Sequence, residues 1–271
     1  MGYKFDLQCW ILRLLSIRKS KKDNPHLSFE EGFKSSVEYF FRFGKIDFTD
    51  KTILDIGCGL GSTCFYLASK GAIRVVGTDT SEERINFAKS MLNQYSQQNH
   101  KISFFLLKDL PKKKFDIVLL KDSFEHYNNP ENFIDQMLDY LKPNGLMIIG
   151  FSNLWNSPFG GHLGSFSRWP WIHLMFAEPV IMHELRRFFK DDKIRSFDQV
   201  ASGLNKMTYR RFIDITSSKN LNFVFLKTNI SSNSRNQIIL TILGKLACLS
   251  FVREYFTVNV YCILNRDKSL V

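Results

Sequence analysis

The segment Thr52-Ile53-Leu54-Asp55-Ile56-Gly57-Cys58-Gly59-Leu60-Gly61 starts as a short apolar strand and carries an acidic residue near its end. It then turns on three glycines at alternate positions and enters a helix. Glycines tolerate φ > 0 and let the backbone come close to a ligand. In open α/β sheets such a turn lies at the carboxyl end of a strand, where ligands bind. The spacing differs from the dinucleotide pattern G-x-G-x-x-G, because the third glycine arrives one residue early, at Gly61, and Ser62 stands in its place. Asp55 would repel a pyrophosphate, whereas its carboxylate suits the ammonium of a methionine moiety.

Eighteen residues beyond Gly61, Asp79 closes the run Val75-Val76-Gly77-Thr78-Asp79. A second-strand carboxylate near that distance can grip ribose hydroxyls. Its ordinary alternative is an N-cap for the next helix, a job for which Ser81 is at least as good.

Outward from this centre, strands are expected at 51–56, 73–78, 102–107, 115–120 and 146–151, with helices at 62–70, 81–95 and 130–141. Ser28-Phe29-Glu30-Glu31 reads as a capping box that opens a helix to about Phe43. Short strands rich in Ile, Val, Leu and Phe, separated by helices, mean a parallel sheet covered on both faces. The alternation stops near Ser152, and residues 152–206 read as an irregular, aromatic, glycine-containing stretch. A helix at 207–218, a strand at 221–227, an apolar helical segment and a last alternating strand at 256–264 follow. The expected organisation is a basic N-terminal segment, 1–28, and one domain, 29–271, in which 152–206 forms an acceptor-site insertion or lid.

With 271 residues, 44% of them hydrophobic, the chain can fill the core of one large domain. The five cysteines, Cys9, Cys58, Cys64, Cys248 and Cys262, are scattered and contain no C-x-x-C pair. They suggest neither a zinc site nor a disulfide framework, and a reducing cytoplasm fits them best. Leu7–Leu15 is interrupted by Arg13, and Ile238–Val252 is short and contains Lys245, so neither reads as a membrane span. The net charge of +11 invites an acidic partner such as nucleic acid, an anionic membrane surface or an acidic sugar. It equally fits a soluble protein from a lysine-rich proteome.

Taken together, Leu54–Gly61, Gly77-Thr78-Asp79, Phe115-Asp116-Ile117-Val118, Glu125-His126 and Leu141-Lys142-Pro143-Asn144-Gly145 resemble the class I S-adenosylmethionine-dependent methyltransferase superfamily. The branch with quinone-ring and small-molecule O-methyltransferases looks most similar. The resemblance implies an α/β, Rossmann-like, doubly wound and mostly parallel sheet, with an antiparallel last strand and an insertion after the fifth strand. It implies S-adenosyl-L-methionine as cofactor. Gly57, Gly59 and Gly61 would line its methionine and ribose side, Asp55 would help hold the amino group, and Asp79 would take the ribose hydroxyls. Lys121 would lie beside the cofactor. An acidic residue after the third strand usually binds the adenine amine; here Asp109 directly precedes Leu110-Pro111, while the expected place is nearer Leu106.

Methyl transfer to a hydroxyl needs alignment and a base, and histidine suits the latter near neutral pH. His126 and His162 are the candidates. If a helical turn follows the fourth strand, Asp122, Glu125 and His126 stand at i, i+3 and i+4, on one face. By resemblance to quinone-ring enzymes, that trio admits a divalent cation; many metal-free relatives also carry Glu-His here. Lys121-Asp122-Ser123-Phe124 lacks the N/D-P-P-Y/F motif of amino-methylating nucleic-acid enzymes, and no Pro-Cys pair supplies a cytosine C5 nucleophile. The acceptor expected by elimination is a hydroxyl of a small molecule, sugar or lipid-linked glycan. Ser157–Leu163 and Leu204–Thr208 resemble methyltransferases of bacterial surface-glycan pathways. Tryptophans of the insertion could stack on sugar rings, and Arg186, Arg187 and Lys190 could meet an acidic portion. Leu7, Trp10, Ile11 and Leu14 form one helical face beside the basic run Arg18-Lys19-Ser20-Lys21-Lys22, which would allow peripheral contact with the inner face of a membrane. The competing readings are a tRNA or rRNA methyltransferase, for which no RNA-binding module is recognisable, and a non-catalytic scaffold, against which the intact loop and Asp79 argue.

Overall fold

A computed structural model of the chain describes residues 2–16, 25–94, 100–200 and 203–266. Among the described residues, seven strands form one sheet: β1 (Thr52–Ile56), β2 (Arg74–Asp79), β3 (Ile102–Leu106), β4 (Phe115–Lys121), β5 (Leu141–Ser152), β6 (Asn222–Thr228) and β7 (Asn259–Asn265). Their order is β3-β2-β1-β4-β5-β7-β6. The first five are parallel, and β7 runs antiparallel between β5 and β6.

Consecutive strand residues serve opposite faces. Ile53 and Ile148 join a core with Phe29, Tyr39 and Phe65, while Leu54 and Ile149 join one with Phe133, Phe151 and Phe212. Burial on both sides explains why the strands read as unbroken apolar runs. The first face is covered by α2 (Pro25–Phe41), α3 (Ser62–Ser69) and α4 (Glu82–Gln94), the second by α5 (Pro130–Asp139) and α8 (Tyr209–Ser218).

Three differences from the sequence expectation have local causes. Helix α2 opens at Pro25, so Ser28 lies in its first turn instead of ahead of it; proline's fixed φ and missing N–H suit a first helical turn. Strand β5 starts at Leu141 and carries Lys142–Gly145 as an irregularity, where the register against β4 shifts between Phe115 and Ile117. Residues 152–206 are not irregular throughout. They hold α6 (Ile172–Met175) and the amphipathic α7 (Glu178–Phe189), whose Pro179 sits at the helix start instead of breaking it.

The insertion has a hydrophobic core of its own, built on Leu163, Phe166, Ile181, Leu185 and Phe197, and the N-terminal α1 (Gly2–Leu14) completes it. Phe5, Cys9 and Leu12, at i, i+4 and i+7, face this core. Arg13 donates from Nε and Nη2 to the buried carboxylate of Glu184 on α7, at 2.8 and 2.9 Å. The opposite side of α1 leaves Leu7, Trp10 and Leu14 exposed. The basic run after α1 lies outside the described residues. No described helix is long and apolar enough to cross a membrane.

Two substitutions, five and seven residues after Leu7, separate the docked from the free face of α1. Leu12→Ala should lower the urea unfolding free energy by about 2–5 kcal/mol, the usual result of truncating a buried leucine. Leu14→Ala should change it by less than about 0.5 kcal/mol. Equal effects would mean that α1 is not docked through the Cys9–Leu12 face.

Candidate functional site

The glycine turn is tied to the end of β2. Gly57 N–H and Cys58 N–H donate to the Thr78 carbonyl at 2.8 and 3.0 Å. Gly59 N–H donates to Asp79 Oδ2 at 3.0 Å, and Ser81 N–H to Asp79 Oδ1 at 2.9 Å. The cap of α4 is Ser81, whose Oγ accepts from Arg84 N–H. Asp79 therefore does not serve as that cap. Each of its oxygens retains a lone pair, since an ionised carboxylate offers about four acceptor positions.

All three glycines have positive φ, 75° at Gly57, 56° at Gly59 and 85° at Gly61, yet their surroundings differ. A Cβ at Gly57 would lie 2.7 Å from Ser123 Cβ, and one at Gly61 would lie 2.6 Å from Phe104 Cζ. A Cβ at Gly59 would meet nothing within 4 Å. Gly57 and Gly61 hold the turn against the protein; Gly59 faces open space beside Asp79. Across from Asp79, in register on β3, stands Leu106. A 3-10 turn, Leu107–Asp109, follows and leaves Asp109 exposed on the rim.

Asp55 is fully buried, and the Cys64 thiol donates to its Oδ2 at 3.4 Å. Burial raises its carboxyl to about 6. Lys121, at the end of β4, reaches Asp122 Oδ2 at 3.7 Å and lies over the Tyr39 ring at 5.6 Å from its centroid.

Asp122 has φ of 49°, and the turn behind it, Phe124–His126, is 3-10. The expected α-helical face therefore does not form, because residues in a 3-10 turn follow a threefold spacing. Asp122 is turned to Lys121, Glu125 is buried, and His126 Nδ1–H donates to the Gly203 carbonyl. Their donor atoms do not converge: among the described residues, the one set of three such atoms within 4.8 Å of one another is Cys9, His183 and Glu184. The expected cation set Asp122–Glu125–His126 is not gathered into one ligand cluster in this structure. Arg13 and Arg187 already occupy Glu184, so that second set is committed to an ion pair.

What the structure does bring together is Glu125, His126 and His162. The two imidazoles meet edge to face with centroids 5.6 Å apart. Burial, reinforced by His126 and His173, lowers His162 to about 4, so the ring is neutral at pH 7. Burial, reinforced by Asp122, pushes Glu125 up to about 8, so its carboxyl is largely protonated there. Glu125 Oε2 and His162 Nε2 are both buried without a partner, and both residues line a cavity of about 10 Å³ with Asn153, Trp155 and Lys206. That is room for about one water.

Asn205, whose role sequence reasoning missed, secures this corner. Its Nδ2 donates to the Phe124 and Tyr127 carbonyls, each at 2.9 Å, and its N–H to the Glu125 carbonyl at 2.9 Å. The end of the insertion thereby clamps the turn after β4. Other expected acceptor groups are occupied. Trp155 packs on His173 and Phe197, and Trp171 on Phe256. Arg186 donates to the Ile194 carbonyl, and Arg187 pairs with Glu184. Gly160 and Gly161 are packed tightly: a Cβ would lie 2.1 Å from the Trp155 carbonyl oxygen at the first and 2.6 Å from His173 Cβ at the second.

This strand order, glycine turn and second-strand carboxylate define a domain of the class I S-adenosylmethionine-dependent methyltransferase type. The chain belongs to the methyltransferase-domain family, whose model matches residues 30–197. It is 30% identical over 150 residues to the ubiquinone biosynthesis O-methyltransferase of Bradyrhizobium diazoefficiens, covering 54% of this chain and 55% of that protein. It is 39% identical over 103 residues to the protein of the same description from Pelagibacter ubique, covering 37% and 42%. Phosphoethanolamine N-methyltransferase 1 of Arabidopsis thaliana is 30% identical over 98 residues, covering 36% and 20%. The chain thus spans about half the length, or less, of these curated relatives. Among solved structures, geranyl diphosphate methyltransferase in complex with S-adenosylmethionine shares the fold with a TM-score of 0.55 at 11% identity, covering 87% of this chain and 85% of that one. The [4+2]-cyclase SpnF shares it at 0.54 and 14% identity, covering 98% and 95%. The fold alone therefore does not name a reaction.

Two measurements test the site as described. Gly59→Ala should cost roughly 1–2 kcal/mol of stability from left-handed strain alone, and Gly61→Ala more, because it adds the collision with Phe104. Glu125 is the pH probe. Folding lifts its carboxyl from 4.5 to about 8, so between those values the folded state holds the extra proton and stability falls as pH rises. Glu125→Gln should remove that slope and raise the thermal midpoint at pH 8 more than at pH 4.5. An unchanged slope would show Glu125 to be solvated.

Proposed function

We propose that the protein transfers a methyl group from S-adenosyl-L-methionine to a hydroxyl of a small molecule or lipid-linked glycan. The observation that carries the cofactor half is the pairing of Asp79 with Gly59: a carboxylate with spare lone pairs at the end of β2, beside a glycine whose Cβ position is open. These residues fit a ribose and the chain leading to its sulfonium. Asp79 would take the ribose hydroxyls, and Gly57, Gly59 and Gly61 would line the methionine and ribose side. Lys121 and Asp55 would form the charged floor, and Leu106, with Asp109 beyond it, would border the adenine. When bound, the cofactor supplies an electrophilic methyl group.

On the acceptor side, His162 is the group placed to take the acceptor's proton, although burial makes it a weaker base than a free imidazole. It is neutral, its Nε2 has no partner, and its neighbour Glu125 carries a carboxyl that burial favours in the neutral form. His126, held through Nδ1 by Gly203, would orient the acceptor through its other nitrogen. The ubiquinone O-methyltransferases among the relatives support a hydroxyl acceptor; the phosphoethanolamine relative makes an amine the second reading.

Calorimetric titration with S-adenosylhomocysteine tests the first half. Asp79→Ala removes charge-assisted hydrogen bonds worth roughly 1.5–3 kcal/mol each, so affinity should fall at least about tenfold while circular dichroism stays unchanged. Unaltered affinity would place the site elsewhere, and no binding by the wild type would favour a scaffold. Transfer of labelled methyl to a catechol, a phosphorylated sugar, phosphoethanolamine and tRNA then sorts the acceptor. With an accepted hydroxyl, His162→Ala should lower kcat at least about a hundredfold, the usual contribution of a general base. Near-normal turnover would remove His162 from the chemistry.

A further inference from the structure

Helix α9 (Ser234–Ala247), in the connection from β6 to β7, is turned the wrong way for a helix bathed in water. Ile238, Ile239, Ile242 and Leu246 fall within one stripe about 100° wide, the width of a core-facing seam. Here that stripe faces outward, and Leu249 and Phe251 extend it past the helix end; the six are 38–79% exposed. Ala247 is the one described residue of α9 that is buried.

The helix sits on the edge where ligands enter. β6 ends at Thr228 and β7 begins at Asn259, which pairs with Ser152 at the carboxyl end of β5. A chain of contacts joins it to the other exposed apolar elements on this side. α10 (Arg253–Phe256) packs against α9, and its Phe256 meets the Trp171 ring of the insertion at 5.7 Å. Two residues before Trp171 stands Trp169, exposed, whose N–H donates to Ser167 Oγ. Ser167 Oγ in turn donates to the Leu15 carbonyl, at the end of the helix that exposes Leu7, Trp10 and Leu14.

We infer that this edge is a docking face for an anionic lipid bilayer, with α9 lying in the interfacial plane as its main insert. Charge selects that occupant. From Ser234 to Val252 the sequence contains Arg235 and Lys245 and no acidic residue, and the chain carries +11 overall. Apolar residues flanked by cations match acyl chains below anionic headgroups, with tryptophans at the boundary. An isologous pairing of α9 with a second copy would instead bring together two segments that carry cations and no carboxylate. The helix is too short to span, so it lies on the surface.

Sedimentation of the full chain tests it, using vesicles of phosphatidylcholine mixed with phosphatidylglycerol against phosphatidylcholine alone. Binding should favour the mixed vesicles roughly tenfold and weaken with added salt. The double variant Ile238→Ser/Ile242→Ser should lose at least about fivefold of that partitioning while keeping its thermal midpoint and S-adenosylhomocysteine affinity. Leu7→Ser/Trp10→Ser should lose less. Failure of the wild type to bind mixed vesicles at low salt, or undiminished binding by the Ile238/Ile242 variant, would overturn the proposal. So would light scattering that shows a dimer which this variant converts to monomer, since the stripe would then belong to a second copy.

Discussion

Three amide groups of the glycine turn end on the last two residues of β2, and the rest of the site depends on that attachment. Gly57 and Cys58 share the Thr78 carbonyl, and Gly59 reaches the Asp79 carboxylate. Gly57 and Gly59 hold left-handed backbone in this stretch, which glycine adopts without a Cβ penalty. The same attachment settles Asp79, because two backbone donors fix the direction of its carboxylate without exhausting it. Behind the turn, Phe104 approaches Gly61 and Gly77 so closely that a Cβ at either would lie 2.6–2.7 Å from its ring. The loop is therefore rigid on its protein side and open on the other.

The acceptor side is assembled differently. Its groups come from the turn after β4 and from the insertion, elements that share no ladder and are joined largely by Asn205 and by the His126–Gly203 bond. The insertion can hold these positions because it has its own hydrophobic core, closed by α1 from the far end of the chain. Arg13 and Glu184 make that closure specific: a buried carboxylate on α7 needs a cation, and α1 delivers it in a two-pronged geometry.

Much of this was legible in the residues. Strands β1 to β4 begin and end within a residue of their expected places, because their two-sided burial shows as runs of Ile, Val, Leu and Phe. Ser81 was a plausible cap from its type alone, and it is the cap. Helix α7 was hidden by Pro179, although Ile181, Leu185 and Phe188 repeat at helical spacing. Asp122, Glu125 and His126 share one face only in an α-helical turn, and backbone choice between α and 3-10 over three residues depends on what clamps them. That clamp, Asn205, lies 81 residues from Phe124, and no local pattern reports so distant a partner. The same limit hid the burial of Glu125 and the second face of α1.

The place of β7 has a consequence for how the molecule is made. β6 precedes β7 in the chain, yet among the described residues it pairs in the sheet with β7 alone. Until residues 259–265 have paired with β5, β6 has no edge to join and the connection between them, α9 included, has no fixed seat. Since α9 carries an outward apolar stripe, synthesis on a ribosome leaves that stripe unanchored until residues 259–265 have emerged. Late antiparallel closure of this kind slows folding and prolongs exposure to aggregation. β7 thus acts as a latch, and truncations that remove it should be cleared as misfolded chains even though every residue of the glycine turn is intact.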